Sequence, residues 1–318
     1  MGVAHLGLQV RGLGILVLVL ASAGCVSTPI DSFEAPIVGG AMDSRDPAVG
    51  AVLLQQPDGT IRAICTGTLI SPRVVLTAAH CVSIDDPVLT AAHVEPRQVY
   101  FGTDMNTGRA MAMGNVVRTT YHSRYDASPL DDGVDVALLL LREAPPIAPL
   151  PINRAAMDGR EGDPLRLVGF GITGGGRNDD GLKREVTSTL SEITARLLWV
   201  YSATRNTCNG DSGGPVLADM GAGEVVVGIT SFGDENCEEA GAYVRVDAHA
   251  TSFIDPWIAA NDPPVGGTPP GPTDPIPDVD DDQLSDEITG GCAVGAPGDQ
   301  GASWLLLALA ALLVRRRP

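Results

Sequence analysis

Charged residues, and basic residues above all, are scarce in this 318-residue chain. Only 19% of residues are charged, and 21 Lys and Arg stand against 39 Asp and Glu, for a formal net charge of −18. The chain has too few cations to neutralise a phosphate backbone, and nucleic acid is therefore not an expected partner. The low charge content, with 38 Gly and 24 Pro, disfavours coiled coils and helical arrays and favours short elements joined by turns.

Nucleotide-binding and metal-binding motifs are also missing. No dinucleotide fingerprint, phosphate loop or zinc-ligand spacing is present, and the glycines at 174–176 are not followed by the Lys and helix of a phosphate loop. The acidic cluster at 278–282 has no Gly-turned ligand loop, which leaves calcium there as a weak alternative. We therefore expect no cofactor and no metal.

The N-terminus reads as a secretory signal. A short apolar core at residues 12–21 follows Arg11 and leads into the sequence ASAGC at 21–25. Two interpretations stay open: a signal peptide over 1–24 with an ordinary signal-peptidase site at Ala21-x-Ala23, or a bacterial lipoprotein signal that ends before a lipidated Cys25. Both predict that the protein is exported.

Six cysteines occur in the chain: Cys25, Cys65, Cys81, Cys208, Cys237 and Cys292. Cys25 and Cys292 lie inside terminal signals. Because the compartment outside the cytoplasm is oxidising, the four that remain predict two disulfides.

Between the termini, the chain divides into three stretches. Residues 25–36 are a polar, unpatterned spacer. From residue 37 to about 250, short β-type runs such as VVLT (74–77) and VALLLL (136–141) are separated by closely spaced turn signals, which indicates an all-β sandwich or barrel. A helix is expected only near 247–260, interrupted at Pro256. Residues 262–291 are rich in Pro and Gly and carry acidic but no basic residues, which is typical of an extended linker.

The C-terminus, residues 292–318, predicts a membrane or sorting segment. After Cys292, an apolar run at 304–314 precedes the triplet Arg315–Arg317. Such an Arg cluster stays cytoplasmic, which places the upstream chain across the membrane. The order of Gly-Cys, apolar run and Arg triplet resembles the bacterial MYXO-CTERM sorting signal, which implies removal of the tail and retention at the cell surface. The alternative is a simple C-terminal anchor that stays in place.

Three short motifs point to nucleophilic catalysis. Residues 210–215 read GDSGGP, which puts Ser212 in a glycine-rich turn whose backbone N–H groups at Gly210 and Ser212 can converge on one oxyanion. Residues 77–81 read TAAHC and contain His80, and Asp135 precedes an apolar run. A serine hydroxyl becomes a strong nucleophile when an imidazole takes its proton and a carboxylate orients that imidazole.

With these motifs in this order, most of residues 37–260 resembles the chymotrypsin/trypsin-like serine proteases. The resemblance implies an all-β fold with two antiparallel six-stranded β-barrels and a C-terminal helix, here a protease domain at 37–261. It implies that His80 is the general base, that Asp135 orients it, and that Ser212 attacks the substrate with Gly210 and Ser212 as the oxyanion hole. His93, His122 and His249 lack such motifs and are expected to be surface or packing residues.

The resemblance also implies disulfides and an activation step. It pairs Cys65 with Cys81 and Cys208 with Cys237. The motif IVGG at 37–40 is similar to the family's mature N-terminus, so residues 25–36 would be a propeptide and the new amine of Ile37 would pair with Asp211. Because Pro36, and not Arg or Lys, precedes Ile37, the activating protease is expected to be unlike trypsin.

The specificity pocket is the finest detail that the resemblance reaches. It puts Asn206 and Thr207 at the pocket floor and forms the walls from Ser231, Phe232, Gly233 and Gly241. A floor without a carboxylate gives a buried cation no counter-ion, so we expect cleavage after uncharged residues, with large apolar or aromatic ones as the candidates, and not after Arg or Lys. The alternative is that an acidic side chain nearby swings inward and attracts a basic residue; the candidates are Asp234, Glu235, Glu238 and Glu239.

The function expected from the sequence is an exported, surface-held serine endopeptidase that cuts protein or peptide substrates. One alternative is a catalytically silent homologue that acts as a surface binding module, and another is a structural surface protein. Labelling with a fluorophosphonate separates an enzyme from both alternatives.

Overall fold

The computed structural model describes residues 37–55, 61–83, 96–127 and 130–263. The expected signal peptide, propeptide, linker and C-terminal segment, with Cys25, His93 and Cys292, lie outside the described residues. Within the described ranges, no helix has the length and apolar character needed to cross a membrane.

Antiparallel strands are the main regular structure of the described chain. In chain order they are β1 (Ala41–Met42), β2 (Val49–Gln55), β3 (Ile61–Leu69), β4 (Val74–Thr77), β5 (Pro96–Phe101), β6 (Ala112–Tyr121), β7 (Ala137–Leu141), β8 (Pro164–Gly169), β9 (Arg184–Thr189), β10 (Glu192–Ile193), β11 (Leu197–Tyr201), β12 (Pro215–Asp219), β13 (Glu224–Gly233) and β14 (Ala240–Arg245). Short 3-10 helices occupy Ala79–Cys81, Met105–Thr107 and Leu130–Asp132.

The first half is a closed barrel in the order β2-β3-β4-β7-β6-β5. Its strands β4 and β7 are continuous apolar runs, and every residue in them is buried. Strands covered on both faces have this composition, because neither set of alternating side chains meets water. This half matches the expected six-stranded barrel.

The second half differs from that expectation in how it is closed. Its strands form an eight-stranded sheet in the order β1-β9-β8-β12-β13-β14-β11-β10. The two end strands, β1 and β10, contain only two residues each. Six longer strands therefore remain, as expected, but within the described residues no hydrogen-bonded ladder joins β9 to β11 and completes a ring.

The C-terminal helix continues past Pro256, where the sequence analysis expected an interruption. It begins as α1 (Asp247–His249), continues through a π-helical turn at Ala250–Ile254 and ends as α2 (Asp255–Asn261). Pro256 lies in the first turn of α2, where a missing N–H and a fixed φ are tolerated. The expected interruption at Pro256 is therefore wrong, and the π turn before it keeps the helix continuous.

The end of this helix docks on the first barrel. Ser71 Oγ and Arg73 N donate to Asp262 Oδ2 over 2.7 and 2.8 Å, and Arg73 Nε pairs with Asp262 Oδ1 at 3.1 Å. The chain thus returns from the second half to the first. One apolar cluster also runs through both halves, from Val52 and Leu139 to Leu217 and Val244.

Candidate active site

Pairing of β4 with β7 brings His80 and Asp135 together. The 3-10 helix that carries His80 follows the end of β4, and Asp135 precedes the start of β7. In the antiparallel register, Thr77 faces Ala137, so the end of one strand lies beside the start of the other. Two residues far apart in sequence therefore meet at one edge of the first barrel.

The two side chains make a double contact. The Asp135 Oδ2 atom lies 2.8 Å from His80 Nδ1, and Asp135 Oδ1 accepts from the backbone N–H of His80 over 2.9 Å. Ser231 Oγ donates to Asp135 Oδ2 over 2.5 Å. The Asp135 side chain is fully buried, whereas 20% of the His80 side chain is exposed. The imidazole is thus held by its inner nitrogen while part of the ring meets solvent.

The carboxyl group of Asp135 favours its ionised form despite its burial. Desolvation raises its pKa, but the charge of His80 and the hydrogen bonds from His80 and Ser231 outweigh that effect and lower the pKa below its ordinary value. An ionised carboxylate accepts the Nδ1–H of a histidine and stabilises the charge that the ring acquires on taking up a proton.

Ser212 lies in the turn that leads into β12, and Thr66 of β3 holds this turn against the first barrel. The backbone N–H of Thr66 donates to the carbonyl of Ser212 over 2.8 Å, and Thr66 Oγ1 donates to the carbonyl of Gly210 over 2.9 Å. Thr66 Oγ1 also accepts from the N–H of Phe170 at 3.1 Å. Thr66 follows Cys65, whose disulfide partner, Cys81, follows His80.

The close fit of this turn against β3 and β4 requires a glycine at 213. Its φ is +81°, and a Cβ there would lie 2.1 Å from Thr77 Oγ1 and 2.4 Å from the carbonyl oxygen of Thr66. Backbone atoms of the first barrel cannot move aside for a side chain. Gly213 therefore lets the turn that carries Ser212 reach the edge of the barrel beside His80.

Two backbone donors of the turn remain available. Within the described part of the chain, the N–H groups of Gly210 and Ser212 donate to no protein acceptor. The neighbouring N–H groups of Asp211, Gly213 and Gly214 are bonded to Cys208, Thr230 and Asp211, respectively. Free N–H groups at 210 and 212 are what a developing oxyanion needs as donors.

Asp211 is fully buried behind the turn. Its Oδ1 accepts from the N–H of Gly171 over 2.7 Å, and its Oδ2 accepts from the N–H of Cys208 over 2.8 Å. Burial raises its pKa to about 7, although those two hydrogen bonds and the charge of Arg184 act in the opposite direction. Ile37 is also fully buried in the second half, and in this uncleaved chain Asp211 makes no ion pair with any described cation.

Arg184 is a buried cation near Asp211. The sequence analysis did not identify it. Its Nη1 donates to the carbonyls of Gly171 and Leu182 over 3.2 Å each, and its Nε has no hydrogen-bond partner among the described residues. Burial lowers its pKa, and nearby carboxylates that include Asp179 and Asp211 offset part of this shift. Gly171 thus bridges the two buried charges, since its N–H binds one and its carbonyl binds the other.

Both expected disulfides are formed. The Cys65–Cys81 bridge ties β3 to the helix that carries His80, and the Cys208–Cys237 bridge ties the segment before Ser212 to the loop between β13 and β14. A disulfide of this loop size contributes about 3 kcal/mol in the loop-entropy picture. Each bridge therefore fixes one wall of the candidate site.

The residues expected to form the specificity pocket lie together beside the site. Asn206, Thr207 and Ser231 are buried, and Gly241 packs directly over Asn206 and Tyr243. Tyr243, which the sequence did not single out, donates to Asn206 Oδ1 over 3.0 Å. Phe232 and Gly233 continue along β13 from Ser231, the residue that also binds Asp135.

Two groups of potential metal ligands occur among the described residues, and neither has the chemistry of a metal site. The first is Cys65, His80 and Cys81, but both thiols are consumed in a disulfide. The second is Asp43, Asp46 and Glu185, whose carboxylates are paired with Lys183, Arg166 and Arg45. Cations of the protein already neutralise this second group.

Two of the remaining histidines contact each other and the segment that carries Asp135. The rings of His122 and His249 lie 5.2 Å apart, and His249 Nε2 lies 2.7 Å from the carbonyl oxygen of Gly133. His249 is buried, and His122 is partly buried. These are the packing positions that their lack of a motif suggested.

Comparison with known proteins gives a consistent result. A family model described as trypsin matches residues 37–254. A trypsin from Saccharopolyspora erythraea is 29% identical over 67% of this chain and 94% of its own length. Alkaline trypsin C from Manduca sexta is 30% identical over 78% of this chain and 98% of its own length.

Solved structures give the same fold. The mouse serine protease neuropsin superposes with a TM-score of 0.56 at 23% identity, covering 69% of this chain and 98% of its own. At this identity, the match supports the fold alone. The matched region starts at Ile37 and contains all the site residues described above.

Proposed function

Because this chain belongs to the trypsin family of serine proteases, we propose that Ser212, His80 and Asp135 act as its catalytic triad. The chain is a serine endopeptidase, and its substrates are proteins or peptides. The observation that carries the proposal is the double hydrogen bond between His80 and a buried, ionised Asp135, formed beside the turn that Thr66 holds.

The proposed mechanism uses each of these contacts. With its Nδ1–H donated to Asp135, His80 presents Nε2 as the base that takes the proton of Ser212 Oγ. The oxygen then attacks the substrate carbonyl, and the N–H groups of Gly210 and Ser212 stabilise the oxyanion. His80 returns the proton to the leaving amine, and water hydrolyses the acyl-enzyme in a second, equivalent cycle. This assignment of roles follows the template known for this family.

Replacing the nucleophile tests the proposal. The change Ser212→Ala removes acylation with little loss of packing, so kcat should fall by about 10⁶ while the melting temperature stays nearly constant. After cleavage before Ile37, a fluorophosphonate should label the wild type and the control Ser252→Ala, which alters an exposed serine of the π turn. Near-normal activity in Ser212→Ala would refute the triad. Failure to label or cleave with either protein would favour a silent binding module.

Activation is proposed to require cleavage between Pro36 and Ile37. The freed amine of Ile37 would supply the cation that buried Asp211 lacks in the uncleaved chain and would thereby order the turn with the oxyanion donors. The burial of Ile37 in the core of the second half, and the raised pKa of Asp211, support this step. Cleavage would also separate any lipid on Cys25 from the protease domain.

Retention at the cell envelope is proposed to depend on the C-terminal segment. The two disulfides are consistent with export, and the order of Cys292, apolar run and Arg315–Arg317 suggests a tether. Cells with the full chain should hold the protease on their envelope, whereas truncation after residue 290 should release it. Equal release of both proteins would contradict the tether.

A further inference from the structure

The segment that carries Asp135 is held by the C-terminal helix as well as by the first barrel. This segment, residues 130–136, begins with a 3-10 helix and ends just before β7. The Nε2 atom of His249, in α1, lies 2.7 Å from the carbonyl oxygen of Gly133, a residue 116 positions away in the sequence. Because a single residue separates Gly133 from Asp135, this contact holds the backbone that leads directly to the carboxylate.

The direction of this hydrogen bond is fixed. A carbonyl oxygen only accepts, so His249 must carry a proton on Nε2. His249 is buried, and the charged or titratable groups that face it are His122 and Arg124, which follow β6, and Arg196, which precedes β11. Burial and these neighbours lower its pKa to about 4, although the bond to Gly133 acts in the opposite direction. At neutral pH the ring is therefore uncharged, and its single N–H is the one that binds Gly133.

The carbonyl of Gly133 depends on this donor. Gly133 is buried, and among the residues that the structure describes no backbone N–H donates to its carbonyl. A buried carbonyl that loses its partner costs the desolvation of the group. Without the imidazole donor, the segment would shift until this oxygen met water or another donor.

A shift at Gly133 is passed on to Asp135 through a tight turn. The N–H of Val136 donates to the carbonyl of Val134 over 2.9 Å, so Asp135 is the central residue of a three-residue turn. So small a turn moves as one unit. A displacement of Gly133, which directly precedes the turn, therefore reorients the side chain at its centre.

The other end of the turn is held by the neighbour of His249. The backbone N–H of His122 donates to the carbonyl of Val136 over 3.0 Å. The His122 ring packs edge-on against the rings of His249 and Phe253, at centroid distances of 5.2 and 5.6 Å. One packed pair of histidines thus holds the backbone on both sides of Asp135.

We infer that His249 is a positioning residue of the protease: by holding the carbonyl of Gly133 it fixes the turn at Asp135 and keeps that carboxylate in its double contact with His80. This inference rests on the proposed catalytic triad. It assigns to the C-terminal helix a part in catalysis, in addition to its packing on the barrel.

The double contact is sensitive to orientation. One carboxylate must place Oδ2 at 2.8 Å from the ring nitrogen of His80 and Oδ1 at 2.9 Å from the backbone N–H of the same residue. A rotated carboxylate loses at least one of these contacts and stabilises a protonated imidazole less well. A base held less well by its anion gives up its proton more readily, so its titration moves to lower pH.

Two substitutions of His249 test the inference. His249→Phe keeps a ring but removes the donor, whereas His249→Gln keeps an N–H donor at nearly the reach of Nε2. Each is made in the full chain with residues 32–36 replaced by an enteropeptidase site, cleaved to free Ile37 and titrated with a fluorophosphonate. Rates on one peptide that the wild type cleaves are then measured as a function of pH.

The two variants should behave differently. In His249→Phe, kcat should fall by about 10- to 100-fold with KM nearly unchanged, because the reacting groups and not the substrate contacts are displaced. The acid limb of kcat/KM should move to lower pH by about one pH unit. His249→Gln should stay within about threefold of the wild type and keep its acid limb.

The matched control lies in the same helix. Ile254→Val removes one methylene from a fully buried side chain of the π turn and removes no hydrogen bond. It should lower the melting temperature but leave the acid limb in place. A loss of stability alone is thereby separated from a loss of alignment. If His249→Phe does not fold, His249→Leu, which is smaller and also lacks a donor, takes its place.

A measurement without any change at His249 supplies a second arm. In the cleaved Ser212→Ala protein, chemical shifts of isotopically labelled ring nitrogens should report a neutral His249 with its proton on Nε2 from about pH 5.5 to 8. A proton on Nδ1 instead would break the bond to Gly133 and overturn the inference.

The kinetic outcomes are equally decisive. Equal losses in His249→Phe and His249→Gln would mean that the ring only packs, and an acid limb that does not move in the variant without a donor would mean that Asp135 keeps its place. Either result overturns the inference and leaves the proposed function standing. A wild type that is neither labelled by the fluorophosphonate nor active overturns the proposed function itself.

Discussion

The two halves of the protease domain bury different kinds of side chain. In the first barrel, from β2 to β7, Asp135 is the only buried charged residue among those described. The second half buries Lys183, Arg184, Asp211 and Arg245. Both halves have apolar cores, but the second encloses four charged side chains where the first encloses one.

This difference accompanies another one, because the two halves supply different residues to the candidate site. The first half holds His80 and Asp135, whose geometry is set by strand pairing and one disulfide. The second half holds Ser212, the proposed oxyanion donors and the residues expected to line the pocket, and its buried Asp211 makes no ion pair with a described cation. A buried charge without a partner lowers the free energy of unfolding, so a counter-charge that reaches it from elsewhere in the chain would raise that free energy. The second half is thus where activation can act.

Among the changes that compare the two halves, the largest effect is expected from the single buried charge of the first barrel. In Asp135→Asn, one oxygen remains for the N–H of His80, but the amide does not stabilise a protonated ring. We expect kcat to fall by about 10⁴, as in the family template, with the fold retained. Kinetics after active-site titration measure this, and Asp180→Asn in an exposed loop is the matched control. A loss below tenfold would show that Asp135 does not act on His80.

A somewhat smaller effect is expected from the corresponding change in the second half. Asp211→Asn in the cleaved protein removes the proposed partner of the Ile37 amine. Breaking a buried pair costs about 3 to 5 kcal/mol, so kcat/KM should fall by about 10³. The fluorophosphonate should also react more slowly. Full activity in this variant would mean that the oxyanion turn is ordered without the ion pair.

The pH dependence of stability should distinguish the cleaved chain from the uncleaved chain. In the uncleaved chain, the pKa of Asp211 rises from 3.8 to about 7 on folding, so its contribution is present below pH 3.8 and is lost as pH rises towards 7. The loss is about 4 kcal/mol at most. If the proposed cleavage brings the Ile37 amine to Asp211, it should lower this pKa and remove the loss.

Unfolding of Ser212→Ala, cleaved and uncleaved, between pH 4 and pH 8 measures this difference. His249 serves as an internal reference, since burial lowers its pKa to about 4 in both forms and its acid destabilisation cancels in the comparison. If the free energy of unfolding changed with pH in the same way in both forms, the result would contradict the role of Asp211 in activation.

The smallest effects are expected from one substitution in the interior of each half, which compares the two interiors through the free energy of unfolding. Leu139→Ala in the first barrel should lower the free energy of unfolding by about 2 to 5 kcal/mol, because it opens a cavity in a fully packed core. Arg184→Met should cost less, since the arginine is buried with an unbonded Nε and a methionine of similar volume needs no partner. Denaturant titrations measure both, and an equal cost would remove the contrast between the halves.

The sequence predicted best those elements that are apolar on both faces or that carry a short motif. The runs VVLT and VALLLL became β4 and β7, and the segments with the three motifs lie close together, since His80 contacts Asp135 and Cys81 Sγ lies 3.7 Å from the carbonyl oxygen of Ser212. Strands with mixed faces escaped notice, such as β9, whose residues REVTST alternate between buried and exposed positions around polar side chains. Among the described residues the second sheet has no ladder between β9 and β11, and no local pattern in the sequence encodes whether two such distant strands pair.

The residues that the sequence analysis did not identify form hydrogen bonds with residues that lie far away in the sequence. Thr66 lies 144 residues from Gly210, and Tyr243 lies 37 residues from Asn206. A threonine in a strand and a buried tyrosine are common in any β protein, so neither has a signal of its own. Only the folded arrangement shows that one positions the nucleophile turn and the other fixes an amide.

The attachment at Thr66 also bears on motion between the halves. His80 is tied to this residue through the Cys65–Cys81 bridge, and Ser212 is bonded to it directly. A rotation of one half against the other that pivots at Thr66 would displace distant parts, such as the rims of the pocket, far more than the reacting atoms. Substrates of different size could then be accommodated by a change of cleft width at nearly constant alignment of base and nucleophile.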